Sequence, residues 1–317
     1  MIVCVAGNPS IDRFFEVDRL IHGGIHRPQR FLALPGGKGI HVAQVATALG
    51  STAIATGILA GHAGRWLAEE LEAEGVGTRF VWSAGETRSS LSVADVETGR
   101  LTEFYESGTQ VETGAWPELE EIVLSLLENA SWLALAGSLP PGAPDDGYVR
   151  LISAARGAGV AAAVDSRGDA LTRAIDGRPK LVKVNAYEAG QLLDRSISSI
   201  DEAHGAAVAI HGRADGNGHA TVITVGEQGV VAIDPAGTAH HARNRARGRY
   251  PVGSGDALLA GLLVALERGD PWPTALALGL GAAGANAEIP GAGQLDPARA
   301  RELAAQTEMS ELRTLSE

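Results

Sequence analysis

The sequence predicts a layered α/β fold built on a mostly parallel sheet, and three observations carry that prediction. Short strand-like runs alternate with helical stretches along most of the 317 residues, the order expected of βα units. Hydrophobic residues make up 45% of the chain and aromatics only 4%, so Ala, Gly, Val and Leu must fill the core, which suits helices packed closely on a sheet. Two pairs of short extended segments fall outside the alternation and predict a second, smaller sheet. The length allows one large α/β domain or two smaller ones.

Residues 2–7 form an apolar run that ends in Gly7-Asn-Pro-Ser-Ile-Asp12. This reads as a buried strand with polar groups at its C-terminal end, where ligands sit in doubly wound sheets. Asp12 is therefore a site candidate or a turn residue. Between residues 13 and 35 the pattern is short and extended, broken by Gly23-Gly24, and a similar pair follows at 89–96 and 101–105 around Glu97-Thr-Gly99. These segments predict a lid over the site, or a dimer surface.

Pro35-Gly-Gly-Lys-Gly39 then opens an amphipathic run closed by Gly50. Gly36, Gly37 and Gly39 permit close approach of a ligand to the backbone, and Lys38 adds a point charge; the spacing is not that of a Walker loop. Alternation follows, with strands expected at 52–58, 132–135, 160–164, 181–184 and 221–225, and helices at 64–74, 119–129, 148–158 and 186–193. Residues 211–219 read as a flexible polar loop. The uncharged stretch 271–287, rich in Ala and Gly with two prolines, reads as a buried helix and not a membrane span.

Charge and composition narrow the function. A net charge of −12 leaves no extended basic footprint for nucleic acid or an anionic membrane, so any phosphate must be met by local charge. The single cysteine, Cys4, excludes an intrachain disulfide and a cysteine-rich zinc site, and Met1 leads into no signal-peptide pattern, which together fit the cytoplasm. Only three basic residues are lysines, Lys38, Lys180 and Lys183, so each lysine asks why a compact ammonium was wanted.

Several strand ends carry chemistry-capable residues. Ser138 in Ala136-Gly-Ser-Leu-Pro-Pro-Gly142 could hold a substrate hydroxyl. Asn185 and Glu188, three apart at a helix start, could position Mg²⁺ through water or form a capping box. Thr224-Val-Gly-Glu-Gln-Gly229 is a nucleotide-contacting turn or a hairpin. Last comes Pro251-Val-Gly-Ser-Gly-Asp256, a turn feeding a helix N-terminus whose free N–H groups could hold an anion. A carboxylate there is either an N-cap or a base that takes a proton from a hydroxyl attacking a phosphoryl group.

Gly36-Gly-Lys-Gly-Ile-His-Val-Ala, Asn185-Ala-Tyr-Glu188, Thr224 to Gly229 and Pro251 to Asp256 occur in the order and spacing of the ribokinase-like, PfkB-type sugar kinases, which the chain resembles from about residue 2 to 305. Asn8-Pro-Ser-Ile-Asp12, Thr87-Arg88, Gly137-Ser-Leu-Pro-Pro-Gly142 and Ala285-Asn-Ala-Glu288 are similar to the branch holding 1-phosphofructokinase, tagatose-6-phosphate kinase and the minor 6-phosphofructokinase. The resemblance implies a ribokinase-like three-layer α/β/α fold, one kinase domain over residues 1–317, and a small β-sheet lid from about 13–35 and 88–106.

By the same resemblance Asp256 is the catalytic base, and Gly253, Ser254 and Gly255 form the anion hole. Asn185 and Glu188 hold the Mg²⁺ network, while Lys183, Thr224, Gly226, Gly229 and Asn286 lie near ATP. Asp12, Gly36, Gly37, Lys38, His41 and Ser138 bind the sugar, and Arg27 and Arg88 clamp its phosphate. The implied cofactors are ATP and Mg²⁺, with a monovalent cation left open, and the implied partners are a sugar or sugar phosphate and a second copy paired through the lid. Three positions depart from the pattern: His41 and Ser90 stand where the family usually has Asn, and Ala257 where Ser is common. Histidine is larger than Asn and needs a defined tautomer. The acceptor expected is a hexose phosphate, fructose 1-phosphate or tagatose 6-phosphate; an unphosphorylated sugar, polyol or nucleoside, and a non-catalytic binding regulator, are the rival readings.

Overall fold

The computed structural model describes residues 1–214, 218–246 and 248–312. Strand β1 (Ile2–Ala6) is buried throughout, and its side chains alternate between two cores, Ile2, Cys4 and Ala6 on one face and Val3 and Val5 on the other. The chain leaves β1 for β2 (Ser10–Val17) and β3 (Arg30–Gly36), then returns through helix α1 (Lys38–Ala48) to β4 (Ala53–Ala60). Helix α2 (Gly61–Ala73) leads to β5 (Gly77–Ser83), and β6 (Arg88–Asp95) and β7 (Arg100–Tyr105) form a second hairpin.

Regular alternation follows: α3 (Ala115–Leu127), β8 (Trp132–Ala136), α4 (Gly147–Gly157), β9 (Ala161–Asp165), α5 (Gly168–Asp176), β10 (Leu181–Asn185), α6 (Ala186–Leu193), α7 (Ile200–Arg213) and β11 (Ala220–Thr224). A 3-10 turn at Gly226–Gln228 reverses the chain into β12 (Val230–Ile233) and β13 (Ala239–Arg243). Helices α8 (Ser254–Glu267), α9 (Trp272–Glu288) and α10 (Pro297–Ala305) and the edge strand β14 (Glu308–Glu311) complete the described fold.

The main sheet runs β14-β13-β12-β11-β10-β9-β8-β1-β4-β5; it is parallel from β11 to β5 and antiparallel from β11 to β14. Helices α1, α2, α8, α9 and α10 cover the face of Ile2 and Cys4, and α3 to α7 cover the face of Val3 and Val5. The result is the three-layer α/β/α architecture that the alternation predicts. Small residues let the layers approach: a Cβ on Gly261 of α8 would lie 2.8 Å from the Leu278 carbonyl, and one on Gly279 of α9 would lie 2.8 Å from the Leu258 carbonyl. Cys4 has no solvent exposure, and burial, helped by the charge of Glu267, pushes its thiol well above the ordinary range.

The small sheet runs β3-β2-β6-β7. The two expected strand pairs are joined because β2 and β6 pair in parallel, which sets Ser10 beside Arg88 and Asp12 beside Ser90. Phe15 and Val93 share a row on one face with Phe31, and Leu91 and Phe104 lie two residues along on the same face, opposite Asp12, Phe14 and Ser90.

Two expectations need correction. Residues 211–213 are the last residues of α7, not loop; Ala203, Ala206, Ala207 and Ile210 form a fully buried stripe, and Ser199 caps the start, so the pattern carries through Gly212. Of the rest of that segment, 215–217 lie outside the described residues, and His219 is buried with Nδ1 2.6 Å from the Pro179 carbonyl. Thr224 to Gly229 makes the hairpin that is one of its two readings, with apolar β12 running back along β11, whereas β13 and β14 were not foreseen, because short polar runs such as Glu308-Met-Ser-Glu311 carry almost no alternation. Among the described residues no helix is long and apolar enough to cross a membrane.

Because the α8–α9 crossing admits no side chain at Gly261, Gly261→Val should cost about 1–3 kcal/mol or more of stability. Urea unfolding of the two proteins checks this; an unchanged midpoint would show that the helices can part without cost.

Candidate active site

Parallel strands deliver their C-terminal residues to one edge, and helix N-termini start from the same edge, so polar side chains and free N–H groups converge there. The end of β1 gives Asn8, the start of β2 gives Ser10, β8 gives Ser138, β9 gives Ser166 and Arg167, β10 gives Lys183 and Asn185, and β11 gives Thr224. Beneath the small sheet these ends line a cleft of about 540 Å³ with Asp12, Gly37, Lys38, Arg88 and Asp256. A second cleft of about 590 Å³ lies between the Gly226–Gln228 turn and helices α8 and α9, floored by Leu258, Leu280, Ala283 and Ala287. The two clefts share Asn185, Thr224 and Gly255, while Asp256 lines only the one under the lid.

The junction is the N-terminus of α8. Gly253 adopts φ +80°, a left-handed conformation that glycine takes without strain, and so turns the chain into the helix. The amides of Gly255 and Asp256 fall in the first turn, where no intrahelical acceptor exists, and with the helix dipole they could hold an anion. Asp256 is 6% exposed. Asn286, on α9, has no solvent exposure; it donates to the Val252 carbonyl (2.9 Å) and accepts from the Gly293 amide (3.1 Å), tying the turn before α8 to the loop after α9.

Under this turn lies a charge network. Asp165 is fully buried and carries an ammonium on each oxygen, Lys38 at 2.6 Å and Lys183 at 2.6 Å. Lys38 also reaches Glu188 at 2.9 Å. Burial works against the Asp165 charge, and the Lys183 and Lys38 ammoniums outweigh it, holding the carboxyl below its usual range. Burial likewise opposes the charge on Lys38, but Asp165, Glu188 and Asp256 hold it above the usual lysine range. A Cβ on Gly255 would lie 2.6 Å from Lys183 Nζ, so the ammonium is packed directly against the start of α8.

On the lid side, His41 places Nδ1 2.8 Å from Asp256 Oδ2 and Nε2 3.1 Å from Asp12 Oδ2. Asp12 accepts a further bond from Ser10 Oγ at 2.7 Å.

The structure brings together Asp12, Gly37, Lys38, Ser138, Lys183, Asn185, Glu188, Thr224, Gly253, Gly255 and Asp256 in one cleft, and Gly226, Gly229 and Ser254 line its neighbour. Five positions stand differently from the expectation. His41 has both ring nitrogens on carboxylates and none left for a sugar hydroxyl. Asn286 lies beneath the anion-site turn instead of lining either cleft. Gly36 sits behind the Asp12 carboxylate, where a Cβ would collide with it. Arg27 lies exposed in the connection between β2 and β3, outside the residues lining either cleft. Arg88 lines the cleft but spends its guanidinium on the Asn8 and Glu106 carbonyls and on Ser90.

The Asn185–Glu188 pair forms a complete capping box, one of the two readings open in the sequence, with Asn185 Oδ1 accepting from the Glu188 amide and Glu188 Oε2 from the Asn185 amide. With Glu188 Oε1 on Lys38, direct metal ligation would break existing bonds; contact through water uses the lone pairs that remain. Among the described residues no group of three or more His, Cys, Asp or Glu could hold a metal. Sequence reasoning missed Asp165 and Arg167, which follow β9 in Asp165-Ser-Arg167; the position of a lone carboxylate at a strand end was the available signal.

The chain matches the pfkB family of carbohydrate kinases over residues 2–299. It is 28% identical over 291 residues to a 1-phosphofructokinase of Bacillus subtilis (strain 168), covering 90% of this chain and 92% of that one. Phosphofructokinase-2 from Escherichia coli, solved in complex with substrates and products, has a TM-score of 0.87 at 27% identity over 96% of this chain and 98% of its own. Ribokinase from Arabidopsis thaliana, complexed with ribose and ATP, shares the fold with a TM-score of 0.78 at 21% identity, over 96% of this chain and 98% of its own.

The Asp165 network has a pH signature. Its lowered pKa means that the stabilisation is present above the ordinary value of 3.8 and is lost as pH falls below it. Asp165→Asn leaves Lys183 buried without a counter-charge and should cost about 3 kcal/mol at neutral pH. Denaturant titrations of both proteins should also show the difference shrinking in acid; a constant difference would mean the carboxylate is not the source.

Proposed function

The chain belongs to the pfkB family of carbohydrate kinases, and on that premise we propose that it transfers the γ-phosphoryl group of ATP to a hydroxyl of a hexose phosphate. The observation that carries this reading is the pair of clefts meeting at the α8 N-terminus with Asp256 on one side only. An acceptor under the lid and a nucleotide against the apolar floor of α8 and α9 would present their reacting atoms across Gly253 to Asp256. The names of the B. subtilis relative and the E. coli neighbour support a phosphosugar acceptor, of the fructose 1-phosphate or tagatose 6-phosphate type.

In this reading Asp256 takes the proton of the acceptor hydroxyl; its Oδ2 is held by His41, which leaves Oδ1 for the hydroxyl. The Gly255 and Asp256 amides meet the charge of the transferring group, and Lys183 adds a cation at the same place. Asp12 and Ser138 orient the sugar. Asn185 and Glu188 would hold Mg²⁺ through water, and the ion would neutralise phosphate charge there. Closure of the small sheet would exclude water from the acceptor cleft. The exposed outer face of that sheet, with Phe31 at 55% and Phe104 at 58% exposure, supports pairing with a second copy through the lid.

A kinase of an unphosphorylated sugar, polyol or nucleoside is the second reading, favoured by one observation: the Arg88 guanidinium is already engaged by main-chain carbonyls. Arg167, exposed at the mouth of the same cleft, offers a free-standing charge for a phosphate.

Steady-state kinetics with ATP, Mg²⁺ and a panel of sugars and sugar phosphates test both readings. Asp256→Asn should lower kcat by about 10²-fold or more with little change in the KM for ATP. An unaffected kcat would remove Asp256 from the reaction. Arg88→Ala should raise the KM for a phosphorylated acceptor by about tenfold and leave unphosphorylated sugars alone; equal effects on both would favour the second reading.

A further inference from the structure

His41 holds one oxygen of Asp256, and its second nitrogen makes a contact that the proposed reaction leaves unexplained. Its side chain is 6% exposed and lies between two carboxylates contributed by different parts of the chain, Asp12 from β2 in the small sheet and Asp256 from α8 in the core. Each nitrogen faces one carboxylate oxygen, at 2.8 Å for Nδ1 and 3.1 Å for Nε2. A neutral imidazole has one N–H and one lone pair, so it could satisfy only one of these contacts and would aim a lone pair at the other oxygen. Only the imidazolium donates in both directions. An Asn in its place carries its two N–H groups on one nitrogen and could not span the gap in the same way.

We propose that His41 is a positioning residue that, as an imidazolium, braces the acceptor-side carboxylate Asp12 and the phosphoryl-side carboxylate Asp256 into one charge-compensated unit. The surroundings hold the brace in place. Asp12 is fixed by Ser10 Oγ and seated over Gly36. The edge of the ring is backed by Gly293, where a Cβ would lie 3.1 Å from His41 Cδ2, and Asn286 pins that glycine through its amide. The other charges acting on the two carboxylates are Lys38, on the same helix, which acts on Asp256, and Arg88 on β6, which acts on Asp12. Burial opposes a charge on the ring, but the hydrogen bonds and charges of Asp12 and Asp256 outweigh it and push its pKa up to about 10. The proton therefore stays on the ring throughout the neutral range and is lost only in strong alkali.

The consequence is a fixed base. Pinning Oδ2 of Asp256 sets the carboxylate plane, so that its second oxygen is presented in one orientation. Because the other end of the brace is in the lid, the same bond registers the lid carboxylate against the base. The effect on turnover rests on the kinase reading above; the protonation state of the ring does not.

The experiment follows that division. In the full chain labelled at histidine, the His41 ring resonances, assigned by their disappearance in His41→Gln, should keep the two-N–H imidazolium pattern across the neutral range and titrate near 10. Asp12→Asn or Asp256→Asn should each bring that titration down by at least about one unit. A single-tautomer ring titrating at or below 6.5 would overturn the brace, and it would do so even if His41→Gln failed to fold, since the Asp12→Asn spectrum gives an independent assignment. With an acceptor that the wild type turns over, kcat should fall as the His41 proton is lost near 10; His41→Asn should lower kcat about tenfold or more, leave the KM for ATP within about twofold, and remove that fall. An unchanged pH profile in His41→Asn would refute the positioning role. A wild type without turnover on any acceptor would refute the kinase reading and leave the ring titration to decide the brace.

Discussion

Asp165 has no contact with solvent and yet keeps its charge, because each of its oxygens carries a lysine ammonium. One lysine comes from the start of α1 and the other from β10, so the carboxylate fastens the two sides of the cleft to the end of β9. Lys183 then lies directly against Gly255, and Lys38 passes the charge on to Glu188 and its capping box. The position of the α8 N-terminus relative to the strand ends thus depends on an ion network, whose worth lies in the geometry it enforces more than in net stability.

The fold was legible wherever one pattern dominated. Buried parallel strands such as Ile2–Ala6 read as short apolar runs, and α1 reads as an amphipathic run between glycines, because in both cases burial and local propensity agree. The antiparallel edge is legible only at its first turn, the hairpin at Thr224 to Gly229; β13 and β14 are held by pairing along the edge, and pairing leaves little trace in segments as short and polar as Glu308–Glu311.

In the cleft, residue types and strand-end positions located the groups, but not their partners. The resemblance alone puts Asn286 near the nucleotide; its side chain is instead engaged by two loops that the sequence gives no reason to bring together. The resemblance likewise puts His41 against the sugar, whereas both of its ring nitrogens face Asp12 and Asp256. Glu188 and Asn185 satisfy the capping pattern and the charge network at once, so the two readings open in the sequence are compatible rather than exclusive.

Cys4 lends the molecule one more property. The only thiol in the chain stands in β1, between β8 and β4 in the sheet, with a helical layer on either side and its ionisation opposed by burial. A thiol reagent can reach it only when the three layers part; closure or opening of the small sheet alone would not expose it. Its labelling rate is therefore a built-in clock for opening of the core, and a ligand that slows labelling has stabilised the whole sheet rather than merely closed the cleft.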